Sequence, residues 1–290
     1  MGRRRAHRAV LVGMVAATAT ACGFLYDPDR LGSAVCVDCD ASRGDVQVSV
    51  PDTGSDADAP DASGARGCRY LGSVTFCRDF DDGAPFDTDF TQWVSQGGIL
   101  SNSADSYSPP RSFMASIPAG GAGGVRRAYM HRVFNGAVAG GGPTDIRFAA
   151  NIQIESAPSD ELVPVVTVFF GDPSVTDQRY ISLELGRDRA SVIEQQQSGP
   201  MIEYPFPSGR TPPVGPGVWP RIEVRIDANL PHLWVSLDTG TGPVTVLDRA
   251  LASSGWAIPR PPELHIGIGE MLPASSAWQV RYDDIVFDLK

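Results

Sequence analysis

Lysine is almost missing from this 290-residue chain: Lys290 is the only one, and arginine carries every other positive charge, a usage that reads as coding by a GC-rich genome. Acidic residues outnumber basic ones by 34 to 24, for a formal net charge of −10 at pH 7. A net charge of that sign argues against nucleic acid as a partner, because duplex binding depends on neutralising phosphates with basic groups. Alternation of strand and helix patterns is also absent, which argues against a parallel α/β fold. There is no G-x-S-x-G elbow, and beyond the N-terminal region the histidines are only His131, His232 and His265. A serine-hydrolase scheme has little to build on. What is plentiful is glycine and proline, 31 and 24 residues spread along the chain. They favour many short strands joined by tight turns over long helices.

The N-terminal residues have a recognisable order. Arg3, Arg4, Arg5 and Arg8 form a positive region, Ala9 to Ala17 an apolar run too short to span a bilayer, and Ala19-Thr20-Ala21-Cys22 follows. Residues 1–21 are expected to be an export signal. The last four residues resemble a bacterial lipobox, although Ala19 stands where such sequences usually carry Leu. The resemblance implies that Cys22 is lipidated and becomes the first mature residue. Ala19 and Ala21 also satisfy the A-x-A rule, by which the same cut releases a soluble product. Cysteine parity favours the anchor: Cys22, Cys36, Cys39, Cys68 and Cys77 are an odd set, and lipidating Cys22 leaves four that can pair. Gly23, rather than Asp, after the cysteine resembles an outer-membrane address. The partner expected first is therefore the membrane, through the lipid.

From Gly23 to Gly67 the sequence is rich in Asp, Ser, Ala, Gly and Pro and poor in apolar residues. Such a segment cannot bury enough surface to offset its ordering entropy. Residues 22–67 therefore read as a flexible acidic linker. Cys36-Val37-Asp38-Cys39 lies within it, without the strand and helix of a redox motif and without the second C-x-x-C of a zinc ribbon. Two structural disulfides are the plainer reading, Cys68 with Cys77 and Cys36 with Cys39. The crossed pairings stay open.

From Cys68 to Lys290 the dominant pattern is alternation with period two, as a half-buried antiparallel strand requires. Ile222, Val224 and Ile226 alternate with Glu223, Arg225 and Asp227; Ile181, Leu183 and Leu185 alternate in the same way, as do Leu264, Ile266 and Ile268. Further strands are expected at Val74 to Phe80, Ser112 to Ile117, Val125 to Phe134, Asp145 to Glu155, Val163 to Phe170, Leu233 to Asp238, Val244 to Leu247 and Trp278 to Leu289. Only Arg249 to Ser254 looks like a helical turn. The fold class implied is all-β, an antiparallel sandwich or barrel over residues 68–290.

The two ends of this body are more specific. Phe76-Cys77-Arg78-Asp79-Phe80-Asp81-Asp82-Gly83 opens it, and Trp278-Gln279-Val280-Arg281-Tyr282-Asp283-Asp284-Ile285-Val286-Phe287 closes it, with Leu233-Trp234-Val235-Ser236-Leu237-Asp238 between them. These segments resemble the concanavalin A-like lectin/glucanase domains of the laminin-G-like jelly-roll kind. The resemblance implies an antiparallel jelly-roll sandwich whose first and last strands lie side by side. Glucanases of that superfamily carry a Glu-x-Asp-x-Glu strand, which aims both catalytic carboxylates across one glycosidic bond. None of the glutamates here has Asp two positions on. His265 points away from Leu264 and Ile266 and reads as an exposed or hydrogen-bonded histidine rather than a catalytic one.

Two candidate sites remain. Asp79, Asp81, Asp283 and Asp284 would converge if the first and last strands pair, giving hard oxygens for a structural calcium; the alternative is solvated strand and turn residues. Tyr204, Trp219 and Trp256 beside Pro- and Gly-rich loops suit the apolar faces of sugars, whereas Trp93, Trp234 and Trp278 read as core. Together these readings describe a lipid-anchored envelope protein whose sandwich binds a glycan or polysaccharide without catalysis and needs no cofactor. An adhesive lipoprotein meeting another envelope protein, or a divergent glycan-cleaving enzyme, are the alternatives.

Overall fold

The computed structural model describes residues 68, 74–81, 84–120, 125–135, 143–157, 161–170, 178–196, 199–253, 261–271 and 276–290, without the side chains of 270 and 271. The expected signal, the lipidation site Cys22, the linker with Cys36 and Cys39, and the aromatic candidate Trp256 lie outside the described residues.

Fifteen strands make up the described body: β1 Phe76–Arg78, β2 Thr91–Ser95, β3 Ile99–Ser103, β4 Ser112–Ile117, β5 Arg126–Val133, β6 Asp145–Ser156, β7 Val163–Phe170, β8 Arg179–Leu185, β9 Ala190–Gln196, β10 Met201–Pro205, β11 Arg221–Asp227, β12 His232–Asp238, β13 Val244–Ala250, β14 Glu263–Met271 and β15 Trp278–Leu289. They form two antiparallel sheets. One runs β13-β12-β11-β6-β15-β4-β3, with β1 also on β15; the other runs β10-β9-β8-β7-β14-β5-β2. The inner faces meet in one core. Ile146, Phe148, Val224 and Ile226 of the first sheet and Val166, Val168, Ile181 and Leu183 of the second line the same small apolar gap. Such face-to-face packing of half-apolar strands is what period-two alternation demands. The Tyr282 hydroxyl of β15 donates to the Val165 carbonyl of β7 across the core, 2.9 Å.

The first and last strands are neighbours, with Phe76 opposite Phe287 and Arg78 opposite Ile285. Cys68 is bonded to Cys77 across this start of the body. On the same side of β15, β4 pairs as far as Tyr282. Asp283 and Asp284 occupy the interval between the two partners, where the register against β6 also shifts and Asp284 adopts φ 49°.

Several expectations need correction. Arg249 to Ser254 is not a helical turn: β13 stays extended through Ala250, with Arg249 opposite Leu233, and Ser254 lies outside the described residues. β1 is only three residues long, because its partner is used from Ile285 onward. Trp278 is buried as expected, but Trp93 and Trp234 are half-buried on outer faces rather than in the core. Trp234 stacks on His232 at 4.3 Å.

Candidate functional site

Alternation along β14 and β5 decides which side chains leave the core. Leu264, Ile266 and Ile268 are buried inward, so Glu263, His265 and Gly267 turn outward. Ala128 and Met130 point inward on β5, and Arg127, Tyr129 and His131 outward. The register places His131 directly opposite His265 and Tyr129 opposite Gly267. On the other side of β14, Thr167 lies opposite His265 and Phe169 opposite Glu263.

Glu263 joins the two histidines. Its Oε1 lies 2.6 Å from His131 Nδ1 and 2.8 Å from His265 Nε2. The histidine side chains retain 20% and 13% of their exposure, so the cluster is sheltered but reachable. Burial alone would raise the Glu263 carboxyl, but hydrogen bonds from both rings outweigh it and hold the group down at about 2. Burial pushes the His265 ring below its ordinary value, and the bond to Glu263 only partly offsets this. The carboxylate therefore remains ionised while His265 gives up its proton more readily than a free imidazole.

Aromatic rings flank the cluster. His265 stacks on Tyr129 at 4.8 Å and touches Phe169 at 4.4 Å. Tyr129 meets Trp93 of β2 at 5.6 Å, Phe169 meets Tyr180 of β8 at 5.4 Å, and the Arg127 guanidinium lies 4.6 Å from the Trp93 ring. A path of rings thus crosses five neighbouring strands on one face. Gly267 sits beside it at φ +128°, where an added Cβ would lie 2.4 Å from the Ala128 carbonyl oxygen. On the outward side of β8, burial first and then the charge of Glu203 push Glu184 up to about 7.

The residues singled out from the sequence are placed elsewhere. Tyr204 is half-buried and packs against the core; its hydroxyl donates to Glu194 and accepts from the Ala252 amide at 3.0 Å. Burial, then the bond to Glu194, pushes that hydroxyl up to about 12. Tyr204 is thus pinned in place, away from the histidine face. Trp219 is half-buried just ahead of β11 in the other sheet, so the three aromatic candidates do not form one site among the described residues.

Nor do the four aspartates group as a cation cage. Asp283 Oδ2 accepts from the Tyr107 and Ser108 amides and the Ser108 hydroxyl at 2.8–3.1 Å, and its Oδ1 accepts from the Asp284 amide. Asp284 accepts from Ser108 and Asn151, and Asp79 from the Cys68 and Asp81 amides. Protein donors thus already engage Asp79, Asp283 and Asp284, three of the four expected calcium ligands. Burial pushes Asp283 up to about 7 and raises Asp284 as well. Among the described residues, the one set of three ligand-type side chains with donor atoms within 4.8 Å of one another is His131, Glu263 and His265.

No protein-family model matches the chain, and no curated protein matches it. Solved structures do share its fold. An endo-β-1,4-glucuronan lyase from the fungus Trichoderma reesei matches with a TM-score of 0.54 and 11% identity, over 75% of this chain and 96% of that one. The cellulose-induced protein Cip1 matches with a TM-score of 0.51 and 15% identity, over 73% and 96%. The molecule is a jelly-roll β-sandwich. The expectation that the domain is not an enzyme is corrected by this likeness, since a lyase carries the same fold. Lack of a Glu-x-Asp-x-Glu strand excludes one cleavage chemistry on this scaffold, not cleavage as such.

Proposed function

We propose that this protein cleaves a uronate-containing polysaccharide by β-elimination on the outer face of the seven-stranded sheet. The observation that carries the reading is the Glu263 carboxylate holding His131 and His265 beside a path of rings. A uronate C5 proton is acidified by the adjacent carboxylate, and its removal expels the oxygen on C4 while a C4–C5 double bond forms. Glu263 takes His131 through Nδ1, which leaves Nε2 as the acceptor nitrogen. His131 removes the C5 proton, and the imidazolium so formed returns that proton to the departing oxygen. Half-buried Trp93 offers ring surface to the sugar, Tyr129 backs it from below, and Arg127 adds positive charge beside them. The shared fold with a glucuronan lyase supports the substrate class.

Incubation with glucuronan and other polyuronates, followed by the ultraviolet absorbance of the new double bond, tests this reading. Wild-type protein produces unsaturated ends, and Glu263→Gln lowers kcat by about 10²–10⁴-fold, the usual worth of a positioned acid-base group, with the fold intact. Absence of unsaturated product from every polyuronate overturns it. The same proposal places the protein in the cell envelope, lipid-anchored at Cys22, as the lipobox-like Ala19-Thr20-Ala21-Cys22 suggests. A diacylglyceryl group on the native N-terminal peptide is the mass-spectrometric signature, and a bare cysteine there contradicts it.

A further inference from the structure

We propose that His131 Nδ1, His265 Nε2 and Glu263 form a binding site for one divalent transition-metal ion. Three donors of the right kind converge from two neighbouring strands, with all ligand atoms within 4.8 Å of one another. Two imidazole nitrogens and one carboxylate are a set that zinc accepts with a further position open, whereas calcium asks for oxygen ligands throughout. With metal–ligand bonds of about 2.0–2.2 Å, neighbouring donors of a tetrahedral set stand roughly 3.3–3.6 Å apart. The present separations from Glu263 Oε1 are 2.6 and 2.8 Å, so the side chains spread to admit the ion.

The site is also held in shape. His131 and His265 are a directly opposed cross-strand pair, and Glu263 shares the outward face two residues before His265. Tyr129 and Phe169 fix the His265 ring from two sides. In sequence terms the site is Glu-x-His on one strand and a single histidine on another. No local motif records it.

Metal binding has a consequence that rests on the function proposed above. A neutral imidazole carries one ring proton, and coordination at His131 Nδ1 shifts that proton to Nε2, which turns the acceptor nitrogen into a donor. No proton is gained or lost at the ring. The metal-loaded protein is then unable to abstract the C5 proton, so metal occupancy and cleavage exclude each other.

Calorimetric titration of the full chain with zinc, after chelator treatment, tests the site. One equivalent binds to the wild type, and Glu263→Gln and His265→Gln each weaken it by at least about a hundredfold, since even outer-shell partners are worth about ten- to a hundredfold. Cobalt(II) bound to wild-type protein gives the visible bands of nitrogen and oxygen coordination, a readout independent of whether the variants fold. No binding, or binding that both folded variants retain, overturns the site. Cleavage measured with and without saturating zinc separates the two readings: a full rate with zinc bound removes His131 from proton transfer and leaves the metal site standing.

Discussion

Two carboxylates in this protein are pushed in opposite directions by their surroundings. Glu263 is buried, yet ring donors on both sides hold it down at about 2. Asp283 receives four protein donors and still rises to about 7, because burial comes first and the neighbouring Asp284 charge adds to it. For Asp283 the folded value is raised above its ordinary range. Its contribution to stability is therefore complete below about pH 4 and is lost as pH rises through about 7. Urea midpoints measured between pH 5 and 8 should fall with rising pH. Asp283→Asn should lower the midpoint throughout, corresponding to a stability loss of about 1–3 kcal/mol for the donors left unmatched, and flatten that slope. An unchanged slope in the variant would assign the titration elsewhere, Glu184 being the next group raised to about 7.

At the scale of strands, β14 is where fold and site coincide. It lies between β7 and β5, sends Leu264, Ile266 and Ile268 into the core and carries Glu263 and His265 outward. Gly267 continues the outward row at φ +128°, against the Ala128 carbonyl and Tyr129. Gly267→Ala should destabilise the protein by roughly 1–3 kcal/mol through backbone strain, with a further loss because the clash is with main chain. Thermal melts of the variant check this; a melting temperature equal to wild type would show that the strand relaxes without cost. Much of this element is legible in the sequence. Leu264-His265-Ile266 alone shows that His265 turns away from the core. That His131 sits across from it is not legible, because register between strands so far apart in sequence is set by packing rather than local pattern. Four strands lack a legible period-two signal. β2, Thr91–Ser95, β3, Ile99–Ser103, and β10, Met201–Pro205, are edge strands whose mixed, partly exposed side chains give no clean alternation, whereas β9, Ala190–Gln196, lies inside its sheet and is buried on both faces from Ala190 to Glu194. For the same reason the sequence around Trp93 reads as core, whereas its place on edge strand β2 puts it beside Tyr129 on the outer face.

As a whole, the molecule divides its two sheets between different tasks. The eight-stranded sheet closes the chain on itself, with β1 and β6 on β15 and the Asp283–Asp284 step fastened by the Tyr107–Ser108 amides. The seven-stranded sheet leaves a face on which histidines, a carboxylate and rings are gathered. The net charge of −10 is a global figure and does not describe this face, which carries Arg127, His131 and His265. Binding of an acidic polymer by such a protein depends on local charge and on ring contacts, and weakens as salt screens the former. The first and last strands of the body, with Phe76 opposite Phe287, are legible in the sequence because the jelly-roll resemblance sets them side by side. The histidine site is not, because it lies in the middle of the other sheet.

The most direct measurement is a crystal structure of the Glu263→Gln variant with a bound oligouronate. The account predicts sugar density along the outer face of the seven-stranded sheet, with one uronate C5 within hydrogen-bonding reach of His131 Nε2 and a sugar ring packed against Trp93. Oligosaccharide bound only at the Trp219 side of the molecule, or on the outer face of the eight-stranded sheet beside Trp234, would contradict it.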